Sequence, residues 1–329
     1  MTSVFDFELS PDCPVRLGKP LRVATSAWQN WGISWTSEVE SEELLARSGE
    51  AYGQEWESSS EVGLLDIARA ATEAGLSDCN RTLNQAVAQK VRRLTHGRSA
   101  LTILDVGAGT GETTAAVVTA CPWLAGPSRW HLLDPSGPSL KQALERLANH
   151  GLHRNEQLLL HQQSALGMGE IFKPESFDLI IANASLHHHA DLGRVFRVLH
   201  ALLESGGVLV VGDWHNSVWF YPGEVLRLLE TFNWPDKGAD LQRFRSVFIT
   251  RTAPSRSSRL ARANQQICEF WRAYARVRTK EAPRFSLLEG HRPADDYSLL
   301  LRAAGFSEVR CDILFEDSEL LCVHCGARI

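Results

Sequence analysis

Little in this sequence favours a membrane, a disulfide scaffold or a nucleic-acid surface. No run approaches the ~18–20 consecutive apolar residues that a membrane span requires. The opening MTSVFDFELS lacks the basic and apolar regions of a secretory leader. A basic surplus is missing too: the formal net charge is -5, the wrong sign for a general binder of phosphate backbones. The cysteines at 13, 79, 121, 268, 311, 322 and 325 are odd in number and irregular in spacing, a poor disulfide framework. Only Cys322 and Cys325 have metal-like or redox-like spacing. They lie in the apolar stretch ELLCVHCGA, read as a closing strand, where they would point to opposite faces and share no metal. Internal repeats and low-complexity tracts are also absent. These features together describe a cytoplasmic protein with no metal and no membrane or nucleic-acid partner.

With 329 residues, 44% hydrophobic and 22% charged, the chain has the make-up of an ordinary globular protein with length for a large core. Its middle alternates short apolar runs with helical patterns, as a parallel sheet covered by helices requires. Strands are expected at 101–107, 128–134, 157–163, 177–183 and 208–213, with helices after Gly111 and over 137–151 and 191–207. After a break of about 80 residues, a helix over 292–306 and a terminal β-hairpin, turning at Glu316 and Asp317, complete a seven-stranded sheet. The organisation expected is a helical N-terminal cap (1–98), a Rossmann-like core (99–213), a helical lid or substrate insertion (214–291) and the completion of the core (292–329). Within the insertion, Leu260, Ala263, Ile267, Phe270, Trp271, Tyr274 and Val277 recur at helical spacing, which suits packing against the core.

The segment LDVGAGTGETT, residues 104–114, carries the chemistry. An apolar strand bears Asp105 near its end, followed by Gly107, Gly109 and Gly111 in alternation and then a helix. Glycines let the backbone turn sharply and approach a ligand closely, and a helix start presents free N–H groups. A pyrophosphate-binding loop has the spacing G-x-G-x-x-G; here the spacing is G-x-G-x-G, with Glu112 where the last glycine belongs. A glutamate there repels a pyrophosphate, which argues against a nicotinamide cofactor. Asp134 closes the next strand, 23 residues past Gly111. A carboxylate at that position accepts both hydroxyls of a ribose, although a helix N-cap is the competing role.

The string D-x-G-x-G-x-G in this setting resembles motif I of the class I S-adenosylmethionine-dependent methyltransferases, and the resemblance extends over residues 101–213 and 293–327. It implies S-adenosyl-L-methionine as cofactor, with Gly107, Ala108 and Gly109 under its amino-acid part, Asp134 at its ribose, and Asp105, Gly111 and Pro135 also in the cofactor site. Where similar enzymes place an aspartate on the adenine amino group, this chain has Gln163, Ser164 and Ala165. Asn183 closes the fourth strand beside the same site.

Methyl transfer from a sulfonium chiefly needs the acceptor held near attack geometry, with a base for a hydroxyl, carboxyl or ammonium acceptor. Candidates follow strands four and five. Small-molecule enzymes of this kind often show Leu-His-His where this chain has Leu186-His187-His188, which makes His188 the first candidate; Asp213 and His215 are the second. Structural roles fit these residues equally well. The three adjacent histidines diverge around any regular backbone, so no metal is expected.

Eight of the ten tryptophans gather in the cap (Trp28, Trp31, Trp35, Trp56) and beyond strand five (Trp214, Trp219, Trp234, Trp271), leaving only Trp123 and Trp130 in the core. Residues 241–284 hold ten arginines and Lys280 against Glu269 and Glu281. These features suit an aromatic, anionic small-molecule acceptor of specialised metabolism, although packing and a solvated face account for them too. The string Asn183-Ala184-Ser185-Leu186 lacks the prolines of enzymes that methylate nucleic-acid bases. The alternatives are a protein or carrier-tethered acceptor, or a non-catalytic regulator that binds the cofactor.

Overall fold

The structure is a computed structural model. It describes residues 60–74, 76–153, 157–189, 192–214, 294–314 and 320–326, short strands at 6–8, 16–18, 218–220, 249–250 and 289–291, and helical positions at 270, 273, 274 and 277. Most of the cap, most of the insertion, His215 and the turn at Glu316 and Asp317 lie outside the described residues.

In chain order the strands are β1 (Asp6–Glu8), β2 (Arg16–Gly18), β3 (Thr102–Val106), β4 (Arg129–Asp134), β5 (Leu158–Gln162), β6 (Phe177–Asn183), β7 (Leu203–Trp214), β8 (Val218–Phe220), β9 (Ile249–Thr250), β10 (Glu289–His291), β11 (Ser307–Leu314) and β12 (Leu320–Gly326). The helices are α1 (Glu61–Glu73), α2 (Leu76–Leu94), α3 (Glu112–Ala120), α4 (Gly137–Ala148), α5 (Met168–Ile171), α6 (Leu192–Leu202) and α7 (Ala294–Ala303).

Seven strands form one sheet in the order β11-β12-β7-β6-β3-β4-β5. β3 to β7 run parallel, and β12 is antiparallel to both of its neighbours. This is the seven-stranded Rossmann-like α/β architecture expected from the sequence. Both faces are covered, so the strands are apolar on both sides rather than alternating in polarity. Leu104, Val106, Ile180, Ala182, Leu209 and Val211 pack under α6 and α7, against Phe196, Leu199 and Leu301. Their neighbours Ile103, Leu132, Leu179, Ile181 and Val210 pack under α2, α3 and α4, against Val87, Val117, Leu140 and Leu147. In α4, Leu140, Ala143 and Leu147 are buried at helical spacing, which turns one stripe to the sheet.

One departure from the expected elements has a local cause. α6 ends at Leu202 and β7 begins at once, pairing Leu203 with Phe177 before the register shifts to Leu179↔Val208. Gly206 at φ 74° and Gly207, whose Cβ would sit 2.8 Å from Glu204 O, make this irregular start; they do not cap a helix. In the insertion, helical residues Ala273 and Tyr274 are buried, and the rings of Phe270 and Tyr274 lie parallel at 6.2 Å.

Candidate active site

The C-terminal ends of β3, β4, β6 and β7 meet where the strand order reverses, the place where open α/β sheets bind ligands. Beyond β3 the chain passes through Gly107, Gly109 and Gly111 at φ 68°, 51° and 77°. Each has a different surrounding. A Cβ on Gly107 would lie 2.4 Å from Ser185 Cβ, so the loop after β6 seats directly on this residue. Ser185 is fixed there by its hydroxyl, which donates to Val106 O at 3.0 Å. A Cβ on Gly111, the N-cap of α3, would meet Ala143 of α4 at 3.0 Å. Around Gly109 nothing among the described residues lies within 4 Å of that position. Among them no packing uses the bareness of Gly109, and the backbone there is open to a ligand.

Asp134 faces this loop. Its Oδ2 accepts from Gly109 N at 2.9 Å and its Oδ1 from Ser136 N at 2.8 Å. Burial pushes its carboxyl up to about 6, opposed by those two backbone donors. The N-cap of α4 is Ser136, which accepts from Ser139 N at 3.2 Å, so Asp134 serves the loop and not the helix. Asp105 is buried more deeply and accepts from the Thr114 hydroxyl. Burial drives its carboxyl up to about 7; the Thr114 hydroxyl opposes this and the charge of Asp134 adds to it. Burial thus penalises the charged form of both carboxyls, and a ligand that brings hydroxyl donors or positive charge relieves that penalty.

The other residues singled out for the cofactor are placed as follows. The N–H groups of Gly107 and Ala108 both donate to Leu133 O, at 2.8 and 3.0 Å. Pro135 is buried. Gln163 folds back, its Oε1 accepting from Ser164 N at 2.9 Å, and Ala165 is buried in a 3-10 turn. Asn183 is buried with its amide turned inward: Nδ2 donates to Asn84 Oδ1 at 2.6 Å and to Thr113 Oγ1 at 2.9 Å. Ala184 follows at φ 51°, a region that non-glycine residues rarely occupy away from functional sites.

A second polar centre lies at the ends of β6 and β7. Asp213 is fully buried and accepts four hydrogen bonds. Oδ1 takes His187 Nδ1–H at 2.7 Å and Trp214 N–H at 2.9 Å; Oδ2 takes His187 N–H at 3.0 Å and the Tyr297 hydroxyl at 2.8 Å. Burial works to raise this carboxyl, but the His187 ring, with the Trp214 and Tyr297 donors, outweighs it and holds the group at about 2. Asp213 is therefore an anion, and Nδ1 of His187 carries the proton. The side chain brought to Asp213 is that of His187; the half-buried His188 ring stands 4.0 Å from it, tilted by 45°. Such a carboxylate–imidazole pair fixes the orientation and the tautomer of the ring. Among the described residues no group of three or more His, Cys, Asp or Glu is placed to hold a metal ion. Cys325 is buried, and burial pushes its thiol up.

A cavity of about 790 Å³ opens on the α1–α4 side, reaching from Gly109, Thr110 and Ala184 outward between α1, α2 and α4. His187 and Asp213 do not line it. Asp213 reaches Tyr297 on the α6–α7 side, so the two centres flank the same sheet edge.

His187, Tyr297, Asn84 and Thr113 were not foreseen as site residues. His187 carried a signal, being adjacent to His188. Tyr297 and Asn84 sit in helices remote in sequence and show no motif.

A methyltransferase-domain family matches residues 104–209. Curated relatives include a polyketide synthase-nonribosomal peptide synthetase of Aspergillus clavatus, 30% identical over 125 residues, 38% of this chain and 3% of that protein. A highly reducing polyketide synthase of Penicillium soppii is 38% identical over 124 residues, 36% of this chain and 5% of that protein. The chain thus spans only a few per cent of these relatives. Among solved structures, the 1,6-didemethyltoxoflavin-N1-methyltransferase of Burkholderia thailandensis aligns over 85% of this chain and 90% of its own, with 14% identity and a TM-score of 0.48.

Proposed function

We infer, from the premise that this chain is a class I S-adenosylmethionine-dependent methyltransferase, that it methylates a small-molecule acceptor whose proton His187 removes. The observation that carries this is the buried Asp213–His187 pair at the ends of β6 and β7, directly after the loop that seats on Gly107. The cofactor fits the other centre: Gly109 is bare, and Asp134 and Asp105 are buried carboxyls awaiting donors or a cation. Gly107, Ala108, Gly109 and Asp134 would hold S-adenosyl-L-methionine, with Asp105 behind the loop and Gln163, Ser164 and Ala165 toward its base. When bound, the cofactor supplies a methyl group on a cationic sulfur, already activated for displacement.

The chain's own part is to orient the acceptor and to move its proton. Asp213 fixes the His187 ring and stabilises the imidazolium that forms when the far nitrogen accepts a proton. The residues of the cap and of the insertion enclose the acceptor in this scheme. The curated relatives are polyketide synthases, which supports an acceptor from specialised metabolism. One observation favours a second scheme: those relatives are very large proteins, and residues 241–284 are strongly basic, as docking of an acidic acceptor-bearing protein requires.

Calorimetric titration with S-adenosylhomocysteine tests the cofactor site: wild type binds, and Asp134→Ala binds at least about tenfold more weakly. Absence of binding by the wild type removes the proposal. Labelled methyl transfer to a panel of phenols, carboxylic acids and 1,3-dicarbonyl compounds then tests the acceptor class, with His187→Ala as the inactive control.

A further inference from the structure

Lining the cavity beside the glycine loop is a buried polar side chain whose bonding is incomplete. Asn84, on α2, is 9% exposed and lines the cavity. Its Oδ1 accepts twice, from Thr113 Oγ1 at 2.8 Å and from Asn183 Nδ2 at 2.6 Å. Those bonds fix the side chain's sense. A flip would set the Asn84 NH2 against the NH2 of Asn183, and turning Asn183 as well would bury two N–H donors against Gly212, which costs more than burying one carbonyl oxygen. The Asn84 NH2 group therefore faces the cavity as a donor, and among the described residues nothing accepts from it.

The first turn of α3 borders the same space. Its N-cap, Gly111, has no side chain to cap the free N–H groups of that turn, and Thr110 and Glu112 line the cavity. Glu112 does not close the site to an anion, because Arg146, also lining the cavity, pairs with it at 3.4 Å and donates through Nε to Thr110 O at 2.9 Å. A rigid amide donor, open helix N–H groups and a guanidinium around a bare Gly109 select a carboxylate.

We propose that Asn84, held by Thr113 and Asn183, binds the carboxylate of the cofactor's amino-acid part, so that a helix of the cap completes the cofactor site. This rests on the cofactor assignment above and goes beyond it by naming a residue outside the glycine loop and the atom it recognises. Asn183 then acts as a positioning residue: it orients Asn84 without touching the ligand.

The test compares S-adenosylhomocysteine with two analogues, decarboxylated S-adenosylhomocysteine and 5′-methylthioadenosine, by calorimetry on the full chain. Asn84→Asp is nearly isosteric and keeps the oxygen that Thr113 and Asn183 require, and Asn84→Ala removes the donor outright. Both variants should bind S-adenosylhomocysteine about tenfold or more weakly, as loss of a charge-assisted hydrogen bond in a buried site predicts. Affinities for the two analogues should stay within about twofold of wild type, since neither carries the carboxylate. Equal weakening for all three ligands would overturn the proposal by showing a structural role for Asn84, and unchanged affinity for S-adenosylhomocysteine in both variants would overturn it outright. Wild-type protein that binds none of the three would instead overturn the cofactor assignment, and this proposal with it.

Discussion

Gly107 and Gly109 are two residues apart, both at positive φ, and their surroundings predict opposite consequences for the same substitution. An alanine at either position must adopt the left-handed region, at roughly 1–2 kcal/mol. Loss of glycine's freedom in the unfolded chain returns about 0.4–1 kcal/mol of this. At Gly109 the account ends there, because a Cβ meets nothing within 4 Å among the described residues. At Gly107 the new carbon falls 2.4 Å from Ser185 Cβ and 2.9 Å from Ser185 Oγ, whereas carbon atoms in contact sit about 3.5–4.0 Å apart. The loop after β6 must retreat by about an ångström, which adds the roughly 1–3 kcal/mol of overpacking. Gly107→Ala should therefore lose about 2–4 kcal/mol of stability in urea denaturation, a large share of the about 5–15 kcal/mol a domain has, and Gly109→Ala about 1 kcal/mol. Calorimetry with S-adenosylhomocysteine should show the reverse order, with Gly109→Ala the weaker binder for its stability, since its methyl enters the ligand's space. Removing the Ser185 side chain in Gly107→Ala should recover part of the loss, a coupling absent with Gly109→Ala. Equal stability losses at the two positions, or full ligand affinity in Gly109→Ala, would refute this division of roles.

Other perturbations separate the two centres. His187→Ala should lower the turnover of an acceptor by about 10²–10⁴-fold, and His188→Ala by much less; a larger loss at His188 would move the base to that residue. Tyr297→Phe removes one of four donors to Asp213 without opening a large cavity, so the fold should persist while the pH dependence of turnover shifts; an unchanged pH profile would make Tyr297 a packing residue alone. The buried carboxyls predict a pH dependence of stability for the ligand-free protein. Asp105 lies at about 7 in the fold against an ordinary 3.8, so the folded state holds more protons than the unfolded state between those values. Its contribution is thus full at the acidic end and lost as pH rises through about 7, by at most about 1.4 kcal/mol per pH unit. Asp213, held low, does the opposite and loses its contribution only as pH falls toward about 2. Melting measured from pH 5 to 8 should show a steeper fall for wild type than for Asp105→Asn, and parallel curves would contradict the assignment.

The sheet was legible because its strands are short apolar runs bounded by turn residues, and a run such as Phe177–Asn183 admits little else. The start of β7 was not, because Gly206 and Gly207 read equally as a helix stop and as a kink in a strand; pairing with Phe177 decides it. In the glycine loop, spacing identifies the motif but cannot say which glycine is bare for a ligand and which for Ser185 or Ala143, since that depends on neighbours distant in sequence. The choice among three adjacent histidines turns on Ala184, whose left-handed backbone rotates the residues after it and brings His187 to Asp213. Asn84 and Tyr297 look like ordinary positions of amphipathic helices. What sets them apart is the polar contact of an amide and of a hydroxyl, which periodicity does not register.

The place of β12 has a consequence for the order in which this protein becomes competent. β12 is the last of the described strands, yet it sits inside the sheet between β7 and β11. β3, β4 and the glycine loop can assemble as soon as they leave the ribosome, from contacts short in sequence. β7, which carries Asp213, keeps an open edge until more than a hundred further residues have been made, and Tyr297 arrives only shortly before that edge is closed. The nascent chain thus forms its glycine loop early and the anchored Asp213–His187 pair late; under the proposed roles, a truncated product would bind the cofactor without turning over.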